Sequence, residues 1–206
     1  MTDNVSKVSA VVLAGGKSRR LGRDKAVELI GGEPLIARVI RRVSQVADDV
    51  VVVVGDAERG ERLPLPEHAR VAVDLYPGGG SLGGIFTGLK AARSDWALVV
   101  ACDMPFVNMP LFHYILSLRE GVDAVVPVLD DRPEPTHAAY SKVCLPHMER
   151  LLKAGSLKIA GFFDQVNLRT VPQEDVEKLD PDHLSFFNVN TTEDLDRALS
   201  LAAEGR

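Results

Sequence analysis

Val50 to Val54 are five consecutive valines. A β-branched run with no polar interruption does not suit a strand with one wet face, because such a strand alternates. It reads as a strand buried on both faces, the pattern of a parallel sheet covered by helices above and below. Val8 to Leu13 has the same character. Further strands are expected at Val71–Asp74, Trp96–Cys102, Val122–Val128, Thr136–Tyr140 and Leu168–Val171. Between them the spacing predicts helices over about Pro34–Ala47, Ile85–Ala92, Pro110–Arg119 and Leu145–Lys153, the last closed by Gly155. A shorter helix is expected over Lys158–Asp164, and a final one from Thr192, with Glu193 and Asp194 in its first turn. Leu35, Val39 and Val43 should share one buried face, and Leu195, Ala198 and Leu199 another. Gly55–Glu67 reads as a loop or short helix and Asp130–Pro135 as a loop. Strands alternating with helices predict an α/β three-layer α/β/α sandwich around a mostly parallel central sheet.

Such sheets bind ligands beyond the carboxyl ends of their strands. The loops after Leu13, after Val73 and after Cys102 all leave carboxyl ends, so they should meet on one edge. The first of them, from Gly15 to Lys25, opens on Gly15-Gly16 and then carries five cations (Lys17, Arg19, Arg20, Arg23 and Lys25) against one carboxylate, Asp24. The whole chain has a formal charge of −5. A local positive excess in an acidic protein calls for a specific anion, most simply a polyphosphate. Paired glycines let backbone N–H groups approach its oxygens. The plainer alternative is a solvated strand–helix connection. Gly16-Lys17-Ser18 resembles the end of a Walker A loop, but that motif needs glycine where Val11 stands, and no G-x-G-x-x-G spacing is present. The loop after Val73 is the second glycine-rich stretch, with five glycines in the seven residues from Gly78 to Gly84.

The bulk numbers exclude other classes. An acidic chain is a poor general nucleic-acid binder. Cys102 and Cys144, without C-x-x-C, suit a reducing compartment and no metal or redox motif. The polar start from Met1 to Lys7 is not a secretory signal, and no apolar run approaches a membrane span, so a cytoplasmic protein is expected. At 206 residues with 46% hydrophobic content, one domain with a full core is expected, residues 1–6 being frayed.

The stretch L-A-G-G-x-S-x-R-x-G-x-D-K from Leu13 to Lys25 resembles the signature of nucleotidyltransferases that attach a nucleoside monophosphate to an acceptor. Over most of the chain, Val11 to Leu195, the motifs and their spacing are similar to those of the molybdenum cofactor guanylyltransferases, the MobA-like family. The resemblance implies a Rossmann-like, nucleotide-diphospho-sugar transferase-like fold in one domain over 1–206. A nucleotide-binding half would span about 7–105 and an acceptor-binding half about 106–206. It implies GMP transfer from GTP to Mo-molybdopterin, forming the guanine dinucleotide cofactor and pyrophosphate with Mg²⁺ as cofactor. A monomer is expected, with transient contact to molybdenum-insertion proteins or apo-molybdoenzymes. In that family L-A-G-G accompanies guanine and L-A-A-G cytidine. Two departures stand out. The asparagine that often ends the family's second strand is absent from Val53-Val54-Gly55, and the Gly16–Lys25 loop is one residue shorter than in some members.

Leu13, Ala14, Gly15 and Gly16 are then expected to cradle the nucleotide. Lys25 is the strongest catalytic candidate, since a lysine at the transferred phosphorus offsets charge developing in the transition state. Arg19 and Arg20 should share the β- and γ-phosphates. Arg19 is placed with the catalytic set and Arg20 with nucleotide binding, although spacing leaves open which turns inward. Asp103 stands in V-x-x-C-D-x-P, similar to the family's metal-site stretch, and is expected to bind Mg²⁺. The alternative is an N-cap for the following helix. Asp74 is expected at the nucleotide, or else is a plain turn residue. Gly80 and Gly84 are assigned to the acceptor. So are Asn188 and Asn190, two apart on one face of an extended segment in F-x-N-x-N-T-x-E-D-L, although Asn before a helix is also a common cap. His137 lies in the acceptor region but is read as structural, as lone histidines usually are. Rival readings are cytidylylation of molybdopterin, a sugar-phosphate nucleotidyltransferase, and a non-catalytic molybdopterin or nucleotide carrier.

Overall fold

The computed structural model describes residues 7–16 and 24–206, so the fraying expected for residues 1–6 lies outside the described residues. The strands and helices follow the hydrophobic pattern closely. β1 (Ser9–Leu13) leads, by way of a small hairpin of β2 (Leu29–Ile30) and β3 (Glu33–Pro34), to α1 (Leu35–Val43). β4 (Asp49–Val54), α2 (Ala57–Arg62), β5 (Ala69–Val73), α3 (Gly80–Ala91) and β6 (Trp96–Ala101) complete the first half. Then come α4 (Met109–Ser117), β7 (Ala124–Leu129), β8 (Arg132–Pro133), β9 (His137–Ser141) and α5 (Leu145–Lys153). A 3₁₀ segment at Ile159–Gln165, β10 (Leu168–Val171), α6 (Gln173–Glu177) and α7 (Thr192–Ala203) end the chain.

The central sheet runs β10-β7-β9-β6-β1-β4-β5, with β8 paired to β7. β1 is parallel to both neighbours, with Val11 between Val51 of β4 and Val99 of β6. β9 is antiparallel to β6 and β7, and β10 is parallel to β7. The sheet is therefore mostly parallel, as expected. The valine run shows why: Val50, Val52 and Val54 join the core under α1, α4 and α7, whereas Val51 and Val53 join the core under α3 and α5. Two cores, one on each face, make three layers. After β5 the chain returns to the other side of β1, which puts the switch in strand order between β1 and β6.

Several expectations shift. The helix expected from Ile85 begins at Gly80, inside the glycine stretch. Gly78 and Gly80 have φ of +85° and +59°, so the turn into α3 needs residues that tolerate left-handed backbone. Further along, a Cβ on Gly88 would come 2.2 Å from Val11 Cγ1. Close approach of helix to sheet, not helix propensity, selects that glycine. Asp130 and Asp131, expected in a plain loop, turn the β7–β8 hairpin with φ of +47° and +59°, both positive as a type I′ turn demands. α7 is capped by Thr191 in a reciprocal box with Asp194, one residue before the expected start. Leu195 and Ala198 are buried, but Leu199 is 42% exposed, because Leu201 and Ala202 carry the rest of the packed face.

His137 opens β9 and is fully buried. Its ring stacks on Phe112 at 4.4 Å and meets Phe186 at 4.7 Å, and neither ring nitrogen has a hydrogen-bond partner. Burial lowers its pKa to about 3, so the folded protein holds it neutral. The unfolded chain protonates it near the ordinary ~6.5, so stability attributable to this site is complete above that pH and falls as pH drops toward 3. We expect His137→Phe to fold, to be more stable at pH 7 by on the order of 1 kcal/mol because two unpaired ring nitrogens disappear, and to lose less stability between pH 7 and pH 5. Urea midpoints at the two pH values measure this, and equal losses in both proteins would contradict it.

Candidate functional site

β1 ends at Leu13, opposite Val53 and Ala101. The ladder runs one step further on each side: Ala14 N–H donates to Val53 O at 2.8 Å, and Cys102 N–H donates to Leu13 O at 3.0 Å. Gly15 and Gly16 follow at the mouth of the switch point. Neither has a positive φ. A Cβ on Gly15 would make ordinary contact with Gly55 N at 3.5 Å, and one on Gly16 would meet nothing within 4 Å among the described residues. Packing among the described residues does not demand these two glycines, and both line an open cleft of about 830 Å³.

Lys25 begins a 3₁₀ turn, Lys25–Val27, whose N-cap is Asp24, the Asp24 Oδ1 accepting from Ala26 N–H at 3.1 Å. Lys25 Nζ donates to Asp103 Oδ2 and, at 2.9 Å, to Asn190 Oδ1. The ammonium and the carboxylate are 15% and 14% exposed, so the pair sits on the cleft floor, not on open surface. Asp103 follows β6 directly. It is not the cap of α4, a role taken by Asn108. Val189 N–H donates to Asp103 O at 2.9 Å, which ties the closing motif to this loop. Asn190 N–H donates to Asp194 Oδ2 at 2.9 Å, so the capping box of α7 holds the asparagine that receives Lys25. Three stretches far apart in sequence thus meet at one ammonium group.

Of the residues expected to form the site, Leu13, Gly15, Gly16 and Lys25 line the cleft, as do Asp74, Gly80, Gly84 and Asp103. Ala14 contributes its backbone, with its carbonyl accepting from Arg59 Nε at 2.7 Å. Asp74 is both things the sequence allowed: it lines the cleft and it makes a turn, Oδ1 accepting from Tyr76 N–H and from Thr87 Oγ1 at 3.0 Å each. Gly84 is also a packing residue, since a Cβ there would lie 3.0 Å from Leu13 Cδ2. The two asparagines part company. Asn190 reaches Lys25, whereas Asn188 turns its amide back on Phe186 O at 2.8 Å, and neither is among the cleft's lining residues. Arg19 and Arg20 lie outside the described residues.

Sequence reasoning missed the fourth wall. Gly55 and Asp56 from the β4–α2 connection and Arg59 and Arg62 from α2 line the cleft. Arg59 donates to Asp24 through both Nη1, at 2.6 Å, and Nη2, at 3.0 Å. The segment Asp56–Arg62 alternates acids and bases and reads as a solvated short helix. Its one hint was the spacing of Arg59 and Arg62, which puts them on one helical face.

Among the described residues no group of three or more His, Cys, Asp or Glu could hold a metal ion. Asp103 Oδ1, however, is buried without a hydrogen-bond partner while Oδ2 faces Lys25. One orphaned carboxylate oxygen beside an anion-binding loop fits a magnesium-type ion that takes its remaining ligands from substrate phosphates and water. A buried polar atom left so is costly unless something else satisfies it.

A glycine-opened loop at the switch point of a mostly parallel sheet, facing a lysine and a metal-capable aspartate, defines a nucleotide-dependent transferase. The chain belongs to the MobA-like NTP transferase domain family, whose model matches residues 10–167. A probable molybdenum cofactor guanylyltransferase of Pelotomaculum thermopropionicum is 39% identical over 97% of this chain and 96% of its own. The molybdenum cofactor guanylyltransferase of Desulfosudis oleivorans is 36% identical over 97% and 98%. The crystal structure of molybdopterin-guanine dinucleotide biosynthesis protein A from Archaeoglobus fulgidus superposes with a TM-score of 0.83 at 32% identity, covering 95% of this chain and 99% of that one. The present protein is accordingly a nucleotidyltransferase. Among its described residues no helix is long and apolar enough to cross a membrane.

Cys102 sits beside Asp103 but is no nucleophile. Burial, reinforced by the neighbouring carboxylate, pushes its thiol up to about 12, and burial does the same for Cys144. We expect neither thiol to react with a disulfide reagent at pH 8 in the native protein and both to react in denaturant. Fast native labelling of Cys102 with loss of activity would contradict this.

Proposed function

We propose that the protein transfers GMP from GTP to Mo-molybdopterin, forming molybdopterin guanine dinucleotide and releasing pyrophosphate. The family and the names of its relatives support the reaction. The observation that carries it is the pairing of Lys25 with Asp103 in a cleft also lined by Gly15 and Gly16, with Asn190 accepting from the same ammonium. The acceptor's terminal phosphate attacks the α-phosphorus of GTP. A new phosphoanhydride bond forms as the bond to pyrophosphate breaks. That nucleophile is already ionised near neutral pH, so the site needs no general base, in keeping with His137 being fully buried and not among the cleft's lining residues. Lys25 stands where its ammonium can neutralise charge gathering on the transferred phosphoryl oxygens, and the cleft holds donor and acceptor in line. Gly15 and Gly16 bring backbone N–H groups to the triphosphate, and Arg19 and Arg20 are assigned to its β- and γ-phosphates.

Asp103 would hold Mg²⁺, its Oδ1 being the oxygen left for it, and the ion when bound draws electron density from the phosphate oxygens. In the same reading, residues 7–105 bind the nucleotide and residues 106–206 the acceptor within a single domain. The protein acts as a cytoplasmic monomer that hands its product to molybdenum-insertion proteins or apo-molybdoenzymes.

Incubation with Mo-molybdopterin, Mg²⁺ and each of the four triphosphates in turn, with the product weighed by mass spectrometry, tests the reaction. The guanine dinucleotide should dominate. A cytidine product, or tight binding without pyrophosphate release, would sink the assignment. Lys25→Ala should fold, because the side chain lines the cleft and is not part of either hydrophobic core, and should lose about 10²- to 10³-fold in turnover, the scale seen when one preorganised charge-stabilising group is removed.

The second glycine makes a separate test of base choice. A Cβ at Gly16 has open space among the described residues, so Gly16→Ala should leave the melting temperature unchanged. If the glycine is there for guanine, the ratio of GTP to CTP turnover should fall about tenfold, roughly the weight of one poorly fitted group. An unchanged ratio would assign base choice to other residues.

A further inference from the structure

We infer that Arg59 is a positioning residue for Lys25, acting through Asp24; the inference rests on the reaction proposed above. The guanidinium spans both ends of the phosphate loop. Nε donates to the carbonyl of Ala14, the residue before the paired glycines, at 2.7 Å. Nη1 and Nη2 take the two oxygens of Asp24, the residue before Lys25, at 2.6 and 3.0 Å. Residues 15–23 lie between the two anchor points. Asp24 does a second job with the same carboxylate, since its Oδ1 caps the 3₁₀ turn that starts at Lys25 by accepting from Ala26 N–H at 3.1 Å. The direction in which Lys25 leaves the backbone is therefore set by a carboxylate that Arg59 holds in place. Asp103 and Asn190 then receive the far end of the side chain.

Three features favour positioning over direct phosphate binding. The guanidinium is only 18% exposed, although it borders the cleft. Its charge already faces a carboxylate in the two-pronged geometry that makes such pairs strong and directional. Its third direction is spent on a main-chain oxygen. A lysine could not replace it, because a point charge cannot grip the carboxylate with two nitrogens while a third reaches Ala14. The pairing also keeps Asp24 from presenting an unmatched negative charge to an incoming triphosphate. Arg59 comes from α2, so the device couples the fourth wall of the cleft to the first loop.

A double-mutant cycle on guanylyl transfer tests this. Arg59→Gln should lower kcat about 10- to 100-fold, the effect of misplacing a reacting group by about an ångström. The KM for GTP should change less than about threefold, because the arginine is not itself a phosphate ligand. In a Lys25→Ala background the same substitution should cost less than about twofold further, since the residue it positions is gone. Asp24→Asn should reproduce the kcat loss, and Arg59→Gln with Asp24→Asn should be no worse than either alone. Single-turnover product formation at high enzyme concentration keeps the weakest variants measurable, and melting temperatures confirm that each is folded. If Arg59→Gln does not fold, the Asp24→Asn and Lys25→Ala cycle carries the test. Equal losses from Arg59→Gln with and without Lys25 would overturn the inference while leaving the reaction intact. A large rise in KM at unchanged kcat would overturn it in favour of direct phosphate contact. Full turnover by Lys25→Ala would remove the reading of the site and the inference together.

Discussion

The ammonium of Lys25 against Asp103 and Asn190 is the contact on which the site depends. It joins the loop after β1, the end of β6 and the turn into α7, and it adds a side-chain link to the backbone bonds from Cys102 N–H to Leu13 O and from Val189 N–H to Asp103 O. Each partner is fixed by ordinary backbone chemistry. Asp103 continues a strand whose neighbour's carbonyl is bonded to Cys102 N–H, and its own carbonyl is bonded to Val189 N–H. Asn190 is held by the capping box of α7. A helix cap, a strand end and a 3₁₀ turn are local features that any chain can make. Their convergence comes from the parallel order of β4, β1 and β6, which points three carboxyl ends the same way.

That order was legible because it follows from pattern. Five valines with no polar break demand burial on both faces, and the structure gives alternate valines to opposite cores. The cleft's place was legible for a related reason, since loops at carboxyl ends must share an edge. What stayed hidden depended on contacts between distant residues. Nothing in Asp56–Arg62 distinguishes a solvated helix from one whose arginine grips Asp24, because the partner lies 35 residues away. The glycine stretch read as a loop, since helix propensity argues against glycine, and the close approach of α3 to Leu13 at Gly84 overrode it. Asn188 and Asn190 read as a pair by their spacing, but the chain turns between them and one amide satisfies its own backbone. Leu199 failed for a simpler reason: α7 packs through Leu195, Ala198 and Leu201, so the buried stripe passes to one side of it.

The glycines divide by what a Cβ would strike. At Gly88 it would strike Val11, and at Gly84 the side chain of Leu13, so those two record how closely α3 lies on the sheet. At Gly16 it would strike nothing described, and at Gly15 it would make ordinary contact. Neither of the latter needs left-handed backbone. A small residue where the described residues leave room is explained by something that occupies the room. The paired glycines therefore speak for a ligand in a way that the more numerous glycines of the second stretch do not, although the second stretch is the more conspicuous in sequence.

Charge supports the same conclusion by a separate route. The loop from Lys17 to Lys25 carries five cations and one carboxylate in a chain whose overall charge is −5. Taken alone, Asp24 reduces the loop's positive field. In the structure its two oxygens face Arg59, a cation from outside the loop. The one negative group in the loop is matched by an imported partner, which leaves the loop's own cations undiminished by it. Lys25 in turn faces Asp103, and that pairing suits a site at rest, because an aspartate that takes up a divalent ion has less hold on an ammonium beside it. Binding of an ion–triphosphate complex would then exchange one partner of Lys25 for another without leaving either charge buried and unmatched, the condition under which such a cluster is tolerable on a cleft floor.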